Sequence, residues 1–204
     1  MYLKYRRKLD EKIASNIVNR LSHTSITPNQ ISTIGLLLAA FAAVFFSFGW
    51  YPFSVIASIL FILARFCDHL DGELARVKGE NTKLGYYFDY FVGTVSYILM
   101  FLGLSAGIPD KIFGYIAGFS VENFLTFSAI TACLFNTILH FLYKAREKKE
   151  FHDYPASEKV DLEDGIYLIG PFIWLGLVDI FFFISTVGSV VYFFYNVKRF
   201  FKKT

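Results

Sequence analysis

The stretch FSVIASILFILARFCDHLDGELAR, residues 53–76, joins a long apolar run to a cluster of charged side chains. The apolar run begins at Phe53 and ends at Asp68, and a second apolar run opens at Asp89. Asp68, Asp71 and Asp89 therefore lie at the edges of two segments that are long enough to cross a membrane. A carboxylate at the centre of a membrane helix costs roughly 2.5 to 3.5 kcal/mol, so these acids require a compensating partner.

The composition identifies an integral membrane protein. Of the 204 residues, 55% are hydrophobic and 20% are aromatic, whereas only 18% are charged. Such a balance is typical of membrane proteins. A helix that crosses a bilayer needs about 17 or more predominantly apolar residues. Four runs of that length cover residues 30–49, 52–70, 86–107 and 121–143.

A further apolar stretch, residues 165–201, is too long for a single helix. Gly170 and Pro171 interrupt its first half, and Asp179 suggests a turn. We therefore predict two more spans, at 162–177 and 179–201. The sequence thus predicts an all-α integral membrane protein with six transmembrane helices.

The basic residues predict the orientation, because Lys and Arg concentrate in cytoplasmic loops. They cluster before the first span, between the second and third, between the fourth and fifth, and after the last. Only Lys111 falls on the outer side. This alternation requires an even number of spans, with both termini in the cytoplasm. The net charge of +3 therefore reflects orientation and contact with anionic membrane lipids, and not binding of nucleic acid.

Residues 1–26 have the pattern of an amphipathic helix. Leu9, Ile13, Ile17 and Leu21 recur at every fourth position, beside basic and polar side chains. The pattern is typical of a helix that lies on the cytoplasmic leaflet, and a solvated helix packed on a loop is the alternative. We therefore divide the chain into a juxtamembrane helix, 1–26, and a single membrane domain, 27–204.

The spacing of the acids predicts a metal site. Asp68 and Asp71 are three residues apart and share one helix face. On the next helix, Gly85, Asp89 and Gly93 recur at every fourth position and form a second face of low bulk. If the two faces oppose each other, they form a pocket with three carboxylates. Oxygen-rich sites of this kind bind magnesium, calcium or manganese, and the low bulk leaves room for a phosphorylated ligand.

Two other interpretations of the acids stay open. They could pair with Arg65 and Arg76 to hold helices together, although three acids against two cations leave an excess of negative charge. They could also line an ion or proton pathway in a transporter. That interpretation does not account for the glycines between the acids.

A spaced motif combines the three acids with small residues and one arginine: Asp68-x-x-Asp71-Gly72-x-x-Ala75-Arg76, then, after eight residues, Gly85-x-x-x-Asp89. This motif resembles the signature of the CDP-alcohol phosphotransferases, which are membrane enzymes of phospholipid synthesis. The segment 27–30, Thr-Pro-Asn-Gln, is similar to a segment that opens the first span in that family. An amphipathic helix followed by six spans is also the architecture of the family.

The resemblance implies that a substituted phosphate passes from a CDP-alcohol to an acceptor and that CMP leaves. The donor would be CDP-diacylglycerol or a small CDP-alcohol, and the acceptor a lipid or a polar alcohol. It also implies a homodimer in the cytoplasmic membrane of a prokaryote, with the site facing the cytoplasm, and Mg²⁺ or Mn²⁺ held by Asp68, Asp71 and Asp89. The implied nucleotide-binding residues are Thr27, Pro28, Asn29, Gln30, Gly72, Ala75, Arg76, Thr82 and Gly85.

The chain departs from the family pattern at Gly93, where the resemblance leads us to expect a fourth Asp that acts as general base and binds a second metal. His69 and His140 are candidates for the missing base by residue type alone. An acceptor whose attacking oxygen is already anionic would need no base, and a protein that binds a CDP-alcohol without turnover is the third possibility. We favour catalysis with altered acceptor chemistry, because the other signature residues are intact.

Three basic residues are candidates to bind an anionic group of the acceptor: Lys144, Arg146 and Lys159. All three fall in the predicted cytoplasmic region around the end of the fourth span, where basic residues also serve as topology signals.

Overall fold

A computed structural model of the protein describes residues 14–80, 82–108, 114–116, 118–147 and 167–202. Two short strands, β1 (Tyr115–Ile116) and β2 (Phe119–Ser120), pair antiparallel in a small hairpin. The helices are α1 (14–22), α2 (Pro28–Ser47), α3 (Tyr51–Lys78), α4 (Lys83–Gly107), α5 (Val121–Glu147), α6 (Ile169–Trp174) and α7 (Val178–Lys202). The predicted all-α class is confirmed.

Five helices in the described part of the chain are long and apolar enough to cross a membrane, namely α2, α3, α4, α5 and α7. They correspond to five of the six predicted spans. The remaining span was predicted at 162–177, of which 162–166 lie outside the described residues. Its described part contains α6, which has six residues and is followed by Gly176 with a φ of +76°. The total of six spans stays a prediction.

Close backbone contacts hold α2 against α4. A Cβ atom added at Gly103 would lie 2.5 Å from the carbonyl oxygen of Ala43, and one added at Gly107 would lie 2.0 Å from that of Phe46. Neither position has room for a side chain. Small residues at helix crossings allow this approach in membranes, where dense packing replaces the hydrophobic effect. The close approach of α2 and α4 therefore depends on the absence of side chains at Gly103 and Gly107.

The predicted cytoplasmic ends of three helices are defined by local signals. Thr27 and Gln30 form a reciprocal capping box at the start of α2, and Pro28 occupies the first helical turn. Gly79 ends α3 with a φ of +67°, a conformation that glycine adopts without strain. Thr82 then caps α4 by accepting a hydrogen bond of 2.9 Å from the amide of Gly85. These ends lie next to the signature motif.

Helix α1 packs its apolar side against the rest of the protein. Ala14 and Val18 are fully buried in a cluster with Ile31 of α2 and with Leu70 and Leu74 of α3. Residues 1–13 lie outside the described residues, and they include Leu9 and Ile13 of the predicted amphipathic pattern. Of the described part, residues 14–22 are helical, residues 23–26 are not, and the helix rests on α2 and α3.

Candidate active site

The signature from Asp68 to Arg76 is helical, because α3 continues past its apolar run as far as Lys78. Asp71 is only 3% exposed, and its Oδ2 accepts a hydrogen bond from the Oγ of Ser32 on α2. Ser32 is 2% exposed, so both polar groups are removed from lipid and water and satisfy each other. This contact holds the Asp71 side chain of α3 against α2.

Asp68 forms an ion pair with a buried arginine. The Nη2 of Arg65 donates to the Oδ2 of Asp68 at 2.8 Å, and the Arg65 side chain is only 6% exposed. The guanidinium also lies over the ring of Tyr97 on α4, 5.0 Å from its centroid. An arginine can pair with a carboxylate and stack on an aromatic ring at the same time. Arg65 therefore links the acidic end of α3 to α4.

The structure brings the three predicted acids towards one region. Asp71 lies within electrostatic range of both Asp68 on its own helix and Asp89 on α4. Their carboxylate oxygens are the donor type that suits Mg²⁺ or Mn²⁺. Within the described ranges, however, no three His, Cys, Asp or Glu side chains are arranged as a metal-binding group. By donor chemistry the residues fit a divalent ion, and the ligand assignment stays a prediction.

Gly93 faces the ion pair of α3. A Cβ atom built on Gly93 would lie 3.8 Å from the Nη1 of Arg65 and 3.8 Å from the Oδ1 of Asp68, which are ordinary contact distances. The position that lacks the expected acid therefore adjoins both a cation and an acid. The low bulk of this helix face leaves space beside the Arg65–Asp68 pair.

The start of α4 meets the start of α2 at the predicted nucleotide-binding residues. A Cβ atom on Gly85 would lie 3.0 Å from the Oγ1 of Thr82 and 3.5 Å from the Oδ1 of Asn29. Gly72 on α3 has no atom within 4 Å of its hypothetical Cβ, so its helix face is open. Arg76 is exposed near the end of α3, and Ala75 beside it is half-buried.

The two histidine candidates occupy different environments. His69 is exposed on α3. His140 on α5 contacts two tyrosines of α4: the Tyr86 hydroxyl is hydrogen-bonded to its Nε2, and the Tyr90 hydroxyl lies 3.4 Å from its Nδ1. The Tyr90 ring also stacks on the imidazole at a centroid distance of 4.2 Å. The ring of His140 is thus held in the α4–α5 interface.

Lys144 is the predicted acceptor-binding residue that the structure describes most fully. Its Nζ lies 4.5 Å from the centroid of the Tyr86 ring, which brings it to the helix that carries Asp89. The side chain of Arg146 and all of Lys159 lie outside the described residues.

Four polar or aromatic residues near the acids were not singled out from the sequence: Ser32, Tyr86, Tyr90 and Tyr97. Tyr86 and Tyr90 are four residues apart and share one face of α4 near Asp89, a signal that could have been used. Ser32 and Tyr97 lack such a signal, because each meets the site only through the packing of a different helix.

Comparisons with known proteins identify the family of the chain. The family model described as CDP-alcohol phosphatidyltransferase matches residues 25–191. An archaetidylinositol phosphate synthase of Pyrococcus horikoshii is 31% identical over 107 residues, which are 52% of this chain and 55% of that protein. A bifunctional IPC transferase and DIPP synthase of Archaeoglobus fulgidus is 35% identical over 42% of this chain and 16% of its own length. The match thus spans about half of the first relative and a small part of the second.

A solved structure has the same fold. The crystal structure of a phosphatidylinositol phosphate synthase of Mycobacterium tuberculosis, in complex with manganese and citrate, superimposes with a TM-score of 0.57. The identity is 20%, and the alignment covers 92% of this chain and 88% of that one. The family model spans most of the sequence. The chain is a member of the CDP-alcohol phosphatidyltransferase family.

Proposed function

We propose that the protein transfers a substituted phosphate from a CDP-alcohol to an acceptor, with release of CMP, in the synthesis of phospholipids. The observation that carries this proposal is the approach of Asp68, Asp71 and Asp89 to one region between α3 and α4, inside a family of such transferases. We place the site at the cytoplasmic face of a prokaryotic membrane, in accord with the distribution of basic residues.

Asp68, Asp71 and Asp89 would hold a divalent cation, Mg²⁺ or Mn²⁺. The related mycobacterial synthase contains manganese, which supports the assignment. A bound divalent cation neutralises the diphosphate charge and stabilises the departing phosphate of CMP. Ser32 contributes by holding Asp71 in place through its hydroxyl group.

The diphosphate would bind where α2 and α4 begin. A helix N-terminus carries a partial positive charge, which favours phosphate groups. Asn29 and Gly85 bring these two N-termini together, and the open face at Gly72 leaves space beside them. Arg76 at the exposed end of α3 would bind a phosphate through two parallel hydrogen bonds.

The acceptor would approach the side of the site at Gly93. The side chains within 4 Å of a Cβ atom built on Gly93 are those of Arg65 and Asp68, and neither His69 nor His140 is among them. We therefore favour an acceptor whose attacking oxygen is already anionic. That oxygen forms a new bond to phosphorus while the bond from phosphorus to the CMP oxygen breaks, and no proton has to be removed. Arg65 next to Gly93, and Lys144 near Tyr86, would offset the negative charge of such an acceptor.

A measurement of CMP release tests the transferase activity. We expect the purified protein in detergent, supplied with Mn²⁺, to release CMP from at least one CDP-alcohol when lipid, polar-alcohol and anionic acceptors are offered. Asp71→Asn should lower the rate by at least about a hundredfold, because a ligand to the divalent cation is lost. Asp179→Asn, at the start of α7 and away from the three acids, is the matched control and should keep the wild-type rate.

Two outcomes would contradict the proposal in different ways. If wild-type protein binds the cytidine nucleotide but releases no CMP with any acceptor, it is a CDP-alcohol-binding protein without turnover. If it carries ions across liposomes without any cytidine nucleotide, and Asp68→Asn abolishes that flux, it is a transporter.

A further inference from the structure

Lys78, at the end of α3, holds the connection between α1 and α2. Its Nζ donates a hydrogen bond of 2.8 Å to the carbonyl oxygen of Thr24 and one of 2.7 Å to that of Ile26. An ammonium group has three donors and is well suited to bind two carbonyl oxygens at once. The contact joins parts of the chain more than fifty residues apart.

The connection that Lys78 holds is short and internally ordered. The Oγ1 of Thr24 donates to the carbonyl oxygen of Leu21 at 2.7 Å, at the end of α1, and accepts from the amide of Ile26 at 3.3 Å. Ile26 is followed directly by Thr27, which begins the capping box of α2. A displacement at Ile26 is therefore transmitted to the first turn of α2.

That first turn contributes to the proposed nucleotide site. Asn29 lies three residues after Ile26, and its Oδ1 is the neighbour of Gly85 at the start of α4. Lys78 itself lies two residues after Arg76, on the helix that carries the signature acids. The lysine thus ties the segment just before α2 to the end of α3.

We infer that Lys78 is a positioning residue for the donor nucleotide, acting through the backbone of Thr24 and Ile26 and not by contact with the ligand. The inference rests on the proposed function, because it assigns the first turn of α2 to nucleotide binding. It distinguishes Lys78 from Arg76, whose proposed role is direct contact with a phosphate.

A purely structural role would have a different consequence. A lysine in the last turn of a helix interacts favourably with the helix dipole, so its loss can lower stability without changing ligand affinity. The test therefore has to separate nucleotide affinity from stability and from the rate of turnover.

The experiment compares Lys78→Met, which keeps most of the aliphatic stem, with Lys78→Arg, which keeps the positive charge. Binding of a CDP-alcohol in the presence of Mn²⁺ is measured directly, along with kcat, the KM for donor and acceptor, and thermal unfolding in detergent. We expect Lys78→Met to weaken donor binding and raise the donor KM by about tenfold, since two charge-assisted hydrogen bonds are lost. The kcat and the acceptor KM should stay within about twofold. Lys78→Arg should recover most of the affinity, because a guanidinium keeps the positive charge and can donate to both carbonyl oxygens.

The matched control is Lys198→Met, an exposed lysine near the end of α7, for which no change in donor binding is expected. Unchanged donor affinity in Lys78→Met, with or without a loss of stability, overturns the inference. If Lys78→Met does not fold, Lys78→Gln, which removes the positive charge but keeps a polar side chain, decides: weaker donor binding in the folded variant supports the inference, and wild-type affinity overturns it. Wild-type protein that binds no cytidine nucleotide would instead overturn the proposed function itself.

Discussion

Among single residues, Gly93 stands where the resemblance led us to expect an acid, and it adjoins Arg65 and Asp68. A Cβ atom at Gly93 would lie 3.8 Å from the nearest atoms of Arg65 and Asp68, so the backbone there has room for the Cβ of an aspartate. We expect Gly93→Asp to raise transfer to neutral hydroxyl acceptors by at least about tenfold, because a positioned base contributes about 10² to 10⁴ to such a rate. The measurement is CMP release with hydroxyl and with anionic acceptors.

Gly93→Asn is the control for this prediction, because asparagine has the same size as aspartate but its amide group cannot act as a general base. Equal effects of Asn and Asp would show that size alone matters at position 93. A loss of activity with anionic acceptors in Gly93→Asp is also expected, since the new carboxylate faces Arg65 and would repel a negative ligand.

Also at the residue scale, the Ser32 hydroxyl is the partner of a carboxylate that is almost completely buried. Ser32→Ala leaves Asp71 with an unsatisfied oxygen, which costs about 1 to 3 kcal/mol when the group has no access to water. We expect the unfolding free energy in detergent to fall by about that amount and Mn²⁺ binding to weaken. Ser47→Ala, in which only an exposed hydroxyl bonded to the Val44 carbonyl is removed, should unfold like the wild type.

At the scale of helices, the α2–α4 crossing depends on Gly103. The new Cβ atom in Gly103→Ala would lie 2.5 Å from the carbonyl oxygen of Ala43 and 2.7 Å from the Cα atom of Ala43. The backbones of α2 and α4 would therefore have to separate. We expect a loss of roughly 2 kcal/mol or more of stability, as for overpacked cores. In Gly188→Ala on α7 the new Cβ meets nothing within 4 Å, and alanine is the better helix former. That control should be at least as stable as the wild type, and equal destabilisation of both would contradict this account of the crossing.

The sequence predicted the elements better than their contacts. The lengths of the apolar runs predicted the five spans α2, α3, α4, α5 and α7. The spacing of Asp68, Asp71 and Asp89 predicted that these acids share one region. The side chains that contact these residues were harder to predict, because Ser32 is 39 residues from Asp71 and the ring that Arg65 contacts lies on another helix. Such contacts depend on which faces of separate helices meet, and helical periodicity within one segment does not contain that information.

At the scale of the whole molecule, the number of spans decides whether both ends share one side of the membrane. Among the described residues, five helices are long enough to cross, and an even total requires one more crossing between α5 and α7. The basic residues predict that α1 and the end of α7 are both cytoplasmic and that the β1–β2 hairpin is on the outer side. Single cysteines at three exposed positions, His23→Cys, Tyr115→Cys and Lys198→Cys, test this arrangement in a background without Cys67 and Cys133.

We expect a membrane-impermeant thiol reagent applied to intact cells to label the cysteine at position 115 and neither of the other two. After the membrane is permeabilised, all three should react, because each position is exposed in the structure. Labelling of position 198 from outside, with position 23 still protected, would mean an odd number of spans and would remove the predicted crossing at 162–177. The signature acids on α3 and α4 would keep their cytoplasmic orientation in that case, because the side on which α7 ends does not affect the orientation of the first three spans.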